Sequence, residues 1–313
     1  MQQEKSESQH SNGSSLTEFL IHSRQKMVLM FFMGFASGLP LALRGSTLQA
    51  WLKTEGVSLA TIGFFSWAGL PYTIKFLWAP LMDRFTPSLF GKQLLGRRRG
   101  WMLLTQLGLL GAIWSLGASD PKNMPVVVAA LAFLLSFLSA SQDVAIDAYR
   151  AERLTTDERS AGVGISIIGY RVAMIASGAG ALMLAEFYSW HKVYLLMGGL
   201  LSIAIITTIM AAEPAVVAKP RNLQDAVVEP FKEFFGRKIA KEVLLFIVLY
   251  KVGDVLALAL MTPFLIEIGY TKLEIGAVAK GLGLGASLLG GLVAGGYAAK
   301  MGIYRALFIF GIL

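Results

Sequence analysis

Apolar residues run along this chain in blocks of roughly 20, the length a helix needs to cross a bilayer, and each block ends in a short polar or Gly/Pro-containing break. The blocks predict helices over about 27–52, 58–82, 101–119, 124–150, 160–187, 193–212, 242–268 and 272–299, with a ninth beginning near Tyr304. The pattern is that of an all-α, polytopic helical membrane protein. Composition points the same way. At 55% hydrophobic, 15% charged and mean hydropathy +0.61, the chain holds more apolar matter than a soluble core of this length uses.

The breaks alternate in charge. Lys5, Arg24 and Lys26 precede the first span; Arg84, Lys92, Arg97, Arg98 and Arg99 follow the second; Arg150, Arg153 and Arg159 follow the fourth; Lys219, Arg221, Lys232, Arg237, Lys238 and Lys241 follow the sixth. The intervening connections hold only Lys53, Lys122, Lys192 and Lys272. Basic loops stay on the cytoplasmic side because translocating them is unfavourable, which predicts a cytoplasmic N-terminus. The net charge of +8 then expresses topology. It does not mark a nucleic-acid surface, since Arg97–Arg99 sits between two spans with no aromatic stacking platform around it. With no cysteine, disulfides and thiol chemistry are absent, and His10, His22 and His191 lie outside the spans. No cofactor and no metal site are expected, and the chain is not read as an enzyme.

Four regions follow from the breaks. Residues 1–26 form a polar tail expected to be disordered, 27–212 a six-helix bundle, 213–241 a cytoplasmic linker, and 242–313 spans 7 and 8 with the start of span 9. The linker opens on Glu213–Pro214, and its "VVEPFKEFF" portion suits an amphipathic helix at the inner surface.

Charge inside the spans is selective. Arg44 lies in span 1, Lys75 in span 2, Asp143 and Asp147 in span 4, Arg171 in span 5, Lys251 and Asp254 in span 7, and Lys280 in span 8, whereas spans 3 and 6 carry none. A charge at a bilayer centre costs at least ~2.5–3.5 kcal/mol, so each of these should face a cavity or a partner. Asp143, Asp147 and Arg150 recur at i, i+4 and i+7, one stripe of one helix face, with Gln142 and Tyr149 beside it. Lys75 lies toward the inner end of its span, where snorkelling to the interface is the alternative reading. Gly34/Gly38, Gly281/Gly285 and Gly291/Gly295 are spaced for close helix packing, and Pro40 and Pro71 are expected to kink spans 1 and 2.

Two loop segments repeat. "WAPLMDRF" (Trp78–Phe85) leads through an insertion to "GRRRGW" (Gly96–Trp101), and "GGYAAKMGIYRAL" (Gly295–Leu307) occupies the same place between a second and a third span of the next half. Both resemble the loop signature of the major facilitator superfamily, although Pro80 stands in the glycine region of the first and Ala299 replaces the acid of the second. That resemblance implies two bundles of six helices in which spans 1, 4 and 7 line a central path. It also implies that Asp83, Arg84, Arg97, Arg98 and Arg99 clamp the bundles in one state. Since the chain stops early in span 9, the expectation is one bundle with an incomplete second, and no transport by this chain alone.

The resemblance narrows further. "GFASGLPLALRGSTLQAW" (Gly34–Trp51), "TIGFFSWAGLPYTIKFLWAPLMDRFTP" (Thr61–Pro87), "SASQDVAIDAYR" (Ser139–Arg150), "ISIIGYRVAMIASGAGAL" (Ile165–Leu182) and "YKVGDVLALALMTPFLIEIGYT" (Tyr250–Thr271) look like the AmpG anhydromuropeptide permeases, from residue 27 to the end. Membership would imply proton-driven import of N-acetylglucosaminyl-1,6-anhydro-N-acetylmuramyl peptides across the inner membrane of Gram-negative bacteria. The imported products would feed cell-wall recycling and β-lactamase induction. The partners would be an anionic glycopeptide, protons and membrane lipid. Sugar hydroxyls and carboxylates call for Arg, Lys and amide partners, which makes Arg44, Gln49, Gln142, Arg171, Lys251 and Asp254 the substrate-binding candidates. Proton coupling would fall to Asp143, Asp147 and Arg150, with Asp147 favoured for its closeness to Arg150; the rival is a permanent Asp147–Arg150 or Asp83–Arg150 bridge.

Other readings compete. The acetyl-coenzyme A carriers share a similar fourth helix but match the other segments less well. An aspartate-rich intramembrane prenyltransferase is only superficially similar: the Asp143–Asp147 spacing is one residue too long, and Ala151 stands where a further acid is needed. A non-transporting membrane sensor is the third.

Overall fold

Helices α3 (Arg97–Gly117), α4 (Pro125–Arg153) and α6 (Trp190–Met210) are long and unbroken, with no proline beyond their first turn. The computed structural model describes residues 24–87, 95–215, 232, 234–237, 239–283, 286, 305 and 309, leaving aside the side chains of 156, 157, 160, 247, 248, 250–259 and 279–281. Within them there is no strand, and five helices are long and apolar enough to cross a membrane. Outside the description lie most of the predicted tail and linker, the second loop repeat apart from Arg305, most of the predicted ninth span, and the side chains of Lys251, Asp254 and Lys280.

Three helices are interrupted. The first, α1 (Arg24–Thr54), takes in part of the predicted tail and opens into a wider π turn at Leu43–Thr47, where Gly45 adopts φ −94° and ψ −112°. The kink expected at Pro40 is thus found one turn later. The second, α2 (59–84), alternates α and 3-10 segments, with 3-10 turns at Ser66–Gly69 and Lys75–Leu77 just ahead of Pro71 and Pro80. Each proline removes one i→i−4 bond, so the preceding turn tightens. The third, α5 (156–187), starts from a capping box of Thr155 and Glu158 and carries its own π turn at Ala176–Gly180. Beyond them α7 (Ala240–Glu267) and α8 (272–282) follow, the latter opened by a Thr271/Glu274 capping box.

Glycine lets α1 and α5 touch backbone to backbone. A Cβ on Gly34 would lie 1.9 Å from the Ser166 carbonyl oxygen, and one on Gly38 would lie 2.2 Å from that of Tyr170. The Gly34/Gly38 spacing therefore serves helix packing, as small residues do in membranes. The two π turns meet at the same level: Thr47 Oγ1 donates to the Ser177 carbonyl at 2.7 Å, and Tyr194 on α6 donates to the Leu43 carbonyl at 2.8 Å. The core gathers Leu39, Leu43 and Trp51 with Met102, Leu109, Leu135, Tyr149, Tyr194 and Leu201. Apolar side chains such as Phe64, Trp67, Val126 and Met210 point outward.

Candidate functional site

The polar stripe of α4 faces a cavity of about 340 Å³ lined by Gly34 and Ser37 of α1, Asp143, Ile146, Asp147 and Arg150 of α4, and Ser166, Ile167, Tyr170 and Arg171 of α5. All lie in the halves of their helices nearer the Arg97–Arg99 end, called here the basic end. Asp147 accepts from Arg150 NH2 at 2.7 Å and is more than half exposed, while Arg150 NH1 donates to Ser166 Oγ at 3.2 Å. Asp143 is different. Ser37 stands on the same cavity wall and Lys75 lies within electrostatic reach, yet its Oδ1 is shielded from solvent and has no partner. Lys75 therefore stands by Asp143 and not only by the interface.

Arg44 does not line this cavity; it stacks over the Tyr72 ring at 4.9 Å, and Tyr72 donates to Ser139 Oγ at 2.7 Å. The Nε atoms of Arg44 and Arg171 are buried without partners, so each guanidinium keeps a donor to offer. Gln142 is fully buried, does not line the cavity, and has both amide atoms unpartnered. Gln49 is buried in the far half of α1, also away from the cavity wall. Lys251 and Asp254 cannot be placed, their side chains lying outside the described residues.

At the basic end, the residues predicted as a clamp meet two acids that sequence reasoning passed over. Arg98, 6% exposed, bonds Asp83 Oδ1 at 2.5 Å and Glu152, which also takes Arg97 at 3.3 Å. Arg97 reaches the Asp83 carbonyl at 2.8 Å. The carboxylate of Glu213 accepts the backbone N–H groups of Arg98 and Arg99 at 2.7 and 3.0 Å, so it caps the first turn of α3. Gly96, at φ +72°, leaves the room: a Cβ there would lie 2.3 Å from the Glu213 carboxyl carbon. Arg99 donates to the Thr208 and Ile209 carbonyls at 3.1 and 2.6 Å, at the end of α6. Arg84 takes no part in this network; it is exposed, 6.0 Å from the Phe85 ring. Nor does Asp83 pair with Arg150. The run of three arginines was the available signal that acids had to stand opposite.

The other end is drawn together. Lys53, at the end of α1, lies 3.3 Å from Glu267 at the end of α7. Lys272, at the start of α8, donates to the Ala185 carbonyl at 2.8 Å, with Glu186 at 3.9 Å and the Trp190 ring at 5.7 Å. Toward the basic end, by contrast, Val243, Leu244, Leu245 and Leu249 of α7 are exposed.

Comparison with known proteins agrees with this arrangement. A family model, Major Facilitator Superfamily, matches residues 26–313. The Anhydromuropeptide permease of Escherichia coli (strain K12) is 47% identical over 296 residues, covering 94% of this chain and 59% of that protein. The Putative transporter AmpG 4 of Rickettsia felis is 34% identical over 291 residues, covering 90% and 70%. Among solved structures, a bacterial homologue of the human lysosomal transporter Spinster, inward-facing and unoccupied, matches with a TM-score of 0.59 at 16% identity, over 89% of this chain and 62% of that one, which speaks to the fold alone. The chain thus spans less than two thirds of the length of the permease it matches at 47% identity. By family match and by these relatives, it belongs to the major facilitator superfamily and, within it, to the AmpG-type transporters.

Proposed function

We propose that this chain forms the path-lining part of a proton-coupled importer of anhydromuropeptides in the bacterial inner membrane, with its basic end in the cytoplasm. The observation that carries the reading is the cavity wall. Asp143, with an unpartnered carboxylate oxygen, faces the same space as Arg171 and Arg150 in a chain 47% identical to an anhydromuropeptide permease. The cargo's carboxylates suit the unspent donors of Arg44 and Arg171, and its sugar hydroxyls suit Ser37, Ser166 and Tyr170.

Between the two aspartates, geometry favours Asp143 as the proton carrier over Asp147. Asp147 already holds Arg150 in an open ion pair, whereas Asp143 has an oxygen free to take a proton and Lys75 within reach as an alternating partner. Contacts at the far end (Lys53–Glu267 and Lys272–Ala185) with a cavity in the basic half correspond to a state open toward the cytoplasm.

The test is uptake of labelled anhydro-disaccharide peptide into membrane vesicles from cells expressing the protein, with and without an imposed proton gradient. Asp143→Asn should abolish gradient-driven accumulation while preserving gradient-free exchange, and Asp147→Asn should keep its response. A full gradient response in Asp143→Asn overturns the assignment.

A further inference from the structure

Arg44 is held in a way that its helix alone does not explain. It leaves α1 from the π turn Leu43–Thr47, next to Gly45, and such widened turns recur at functional sites. Its guanidinium carbon stands 4.9 Å from the centroid of the Tyr72 ring on α2, inside the ~6 Å reach of a cation–π contact. Gly69, one turn before Tyr72, supplies the space: a Cβ there would come within 2.9 Å of Arg44 NH1. The ring is fixed in turn by its hydroxyl, which donates to Ser139 Oγ of α4 at 2.7 Å. No carboxylate among the described residues forms an ion pair with Arg44, and its Nε is buried without an acceptor. A partly buried guanidinium that is stacked on one side and short of acceptors is arranged to receive an anion from outside the chain.

We infer that Tyr72 and Gly69 are positioning residues that hold the Arg44 guanidinium as the receptor for a carboxylate of the cargo, which makes the site selective for acidic glycopeptides over their neutral forms. The inference rests on the substrate-binding reading of Arg44. Stacking fixes the plane of the guanidinium, so its free edge meets a carboxylate with two parallel N–H donors at little further loss of side-chain freedom. A lysine at position 44 would keep the charge and lose both the stacking and the fork.

Concentration dependence of vesicle uptake tests this with two cargoes: an anhydro-disaccharide peptide with free carboxylates, and the same molecule with those carboxylates converted to amides. Tyr72→Leu and Gly69→Ala should each raise the half-saturation concentration for the acidic cargo by about 3- to 10-fold, the worth of one cation–π contact. The maximal rate should stay within about twofold and the amide cargo should hardly change. Tyr72→Phe keeps the ring and loses only its anchor to Ser139, so for the acidic cargo it should fall between the parent and Tyr72→Leu, with the amide cargo hardly changed. Equal losses for both cargoes in Tyr72→Leu and Gly69→Ala would mean a merely structural role and overturn the inference, as would Tyr72→Phe failing as badly as Tyr72→Leu. Immunoblots of the vesicles normalise for the amount of protein; where Tyr72→Leu does not accumulate, Gly69→Ala decides. Arg44→Ala separates the layers. If it leaves acidic-cargo uptake intact, the receptor role itself falls and the positioning role with it; if it impairs that uptake while Gly69→Ala and Tyr72→Leu do not, only the positioning role falls.

Discussion

Lys26 and Glu158 join the basic ends of α1 and α5, with Nζ 2.8 Å from Oε2 and 2.9 Å from Oε1 and both residues less than a tenth exposed. Sequence assigned Lys26 to a tail. In the fold it closes the end of the glycine-packed α1–α5 pair, and Glu158 serves twice, since it also completes the capping box at Thr155.

The Lys26–Glu158 pair sets an acid limit. Hydrogen bonding to Lys26, with help from Thr155, holds the Glu158 carboxyl down at about 2. A depressed carboxylate adds stability that is complete above its ordinary value of about 4.3 and is lost as pH falls toward 2. Thermal unfolding in detergent should therefore drop between about pH 4.5 and pH 2, and Glu158→Gln, which preserves the cap, should flatten that slope. At neutral pH, Lys26→Met leaves a buried charge unpaired and should cost about 3 kcal/mol. Lys26→Met with Glu158→Leu should recover part of it. A double variant no better than the single would show that the ion pair is not what the lysine contributes.

Glu213 reaches back across the chain to cap α3 through the Arg98 and Arg99 amides. Glu213→Ala should destabilise the protein by about 1–2 kcal/mol, and Glu213→Gln by less. Hydrogen exchange locates the effect: amides 98 and 99 should exchange faster in Glu213→Ala while the middle of α3 stays protected. Unchanged exchange at those two amides would rule out the cap.

Glycine positions on the α1–α5 pair differ sharply in what they tolerate. Gly34→Ala and Gly38→Ala drive a methyl into the carbonyls of Ser166 and Tyr170, which cannot move aside without separating the helices. Each should cost about 3 kcal/mol or more. Gly164→Ala meets nothing within 4 Å and should be neutral. Size-exclusion profiles and melting temperatures of the three variants decide it, and a well-folded Gly34→Ala would contradict the packing.

At the far end, Lys53 and Glu267 connect α1 to α7. Glu267 is half exposed, so the pair should contribute only about 0.2–1 kcal/mol, enough to shift the balance of two states by about 1.4- to 5-fold. In this cysteine-free chain a single probe cysteine at Ser37 reports access to the cavity. Lys53→Glu should raise its labelling from the far side, and Lys53→Glu with Glu267→Lys should restore the parent rate. Equal labelling in both variants would remove the pair from any gating role.

Local demands of the bilayer made much of this protein legible in its sequence. A spanning helix needs about 20 apolar residues and tolerates charge only toward a cavity or partner. For that reason the helix order, the all-α class and the selection of α1, α2, α4 and α5 as carriers of buried charge were readable from Arg44, Lys75, Asp143, Asp147 and Arg171. The stripe of Asp143, Asp147 and Arg150 followed from the 3.6-residue period.

What the period could not supply was the neighbour. Asp143 and Asp147 are equivalent on a helical wheel, yet one keeps a shielded, unpartnered oxygen on the cavity wall shared with Ser37 and the other pairs with Arg150 in the open. Gln142 sits one position from Asp143 but lies buried away from the cavity that Asp143 lines. Glu152 and Glu213 find the arginines of α3 only because α4 and α6 end beside that helix's start, and Arg44 meets Tyr72 only because Gly69 leaves room. Those outcomes depend on how far each helix slides and turns against the next. That is set by van der Waals packing between residues far apart along the chain, for which a single sequence carries no local signal.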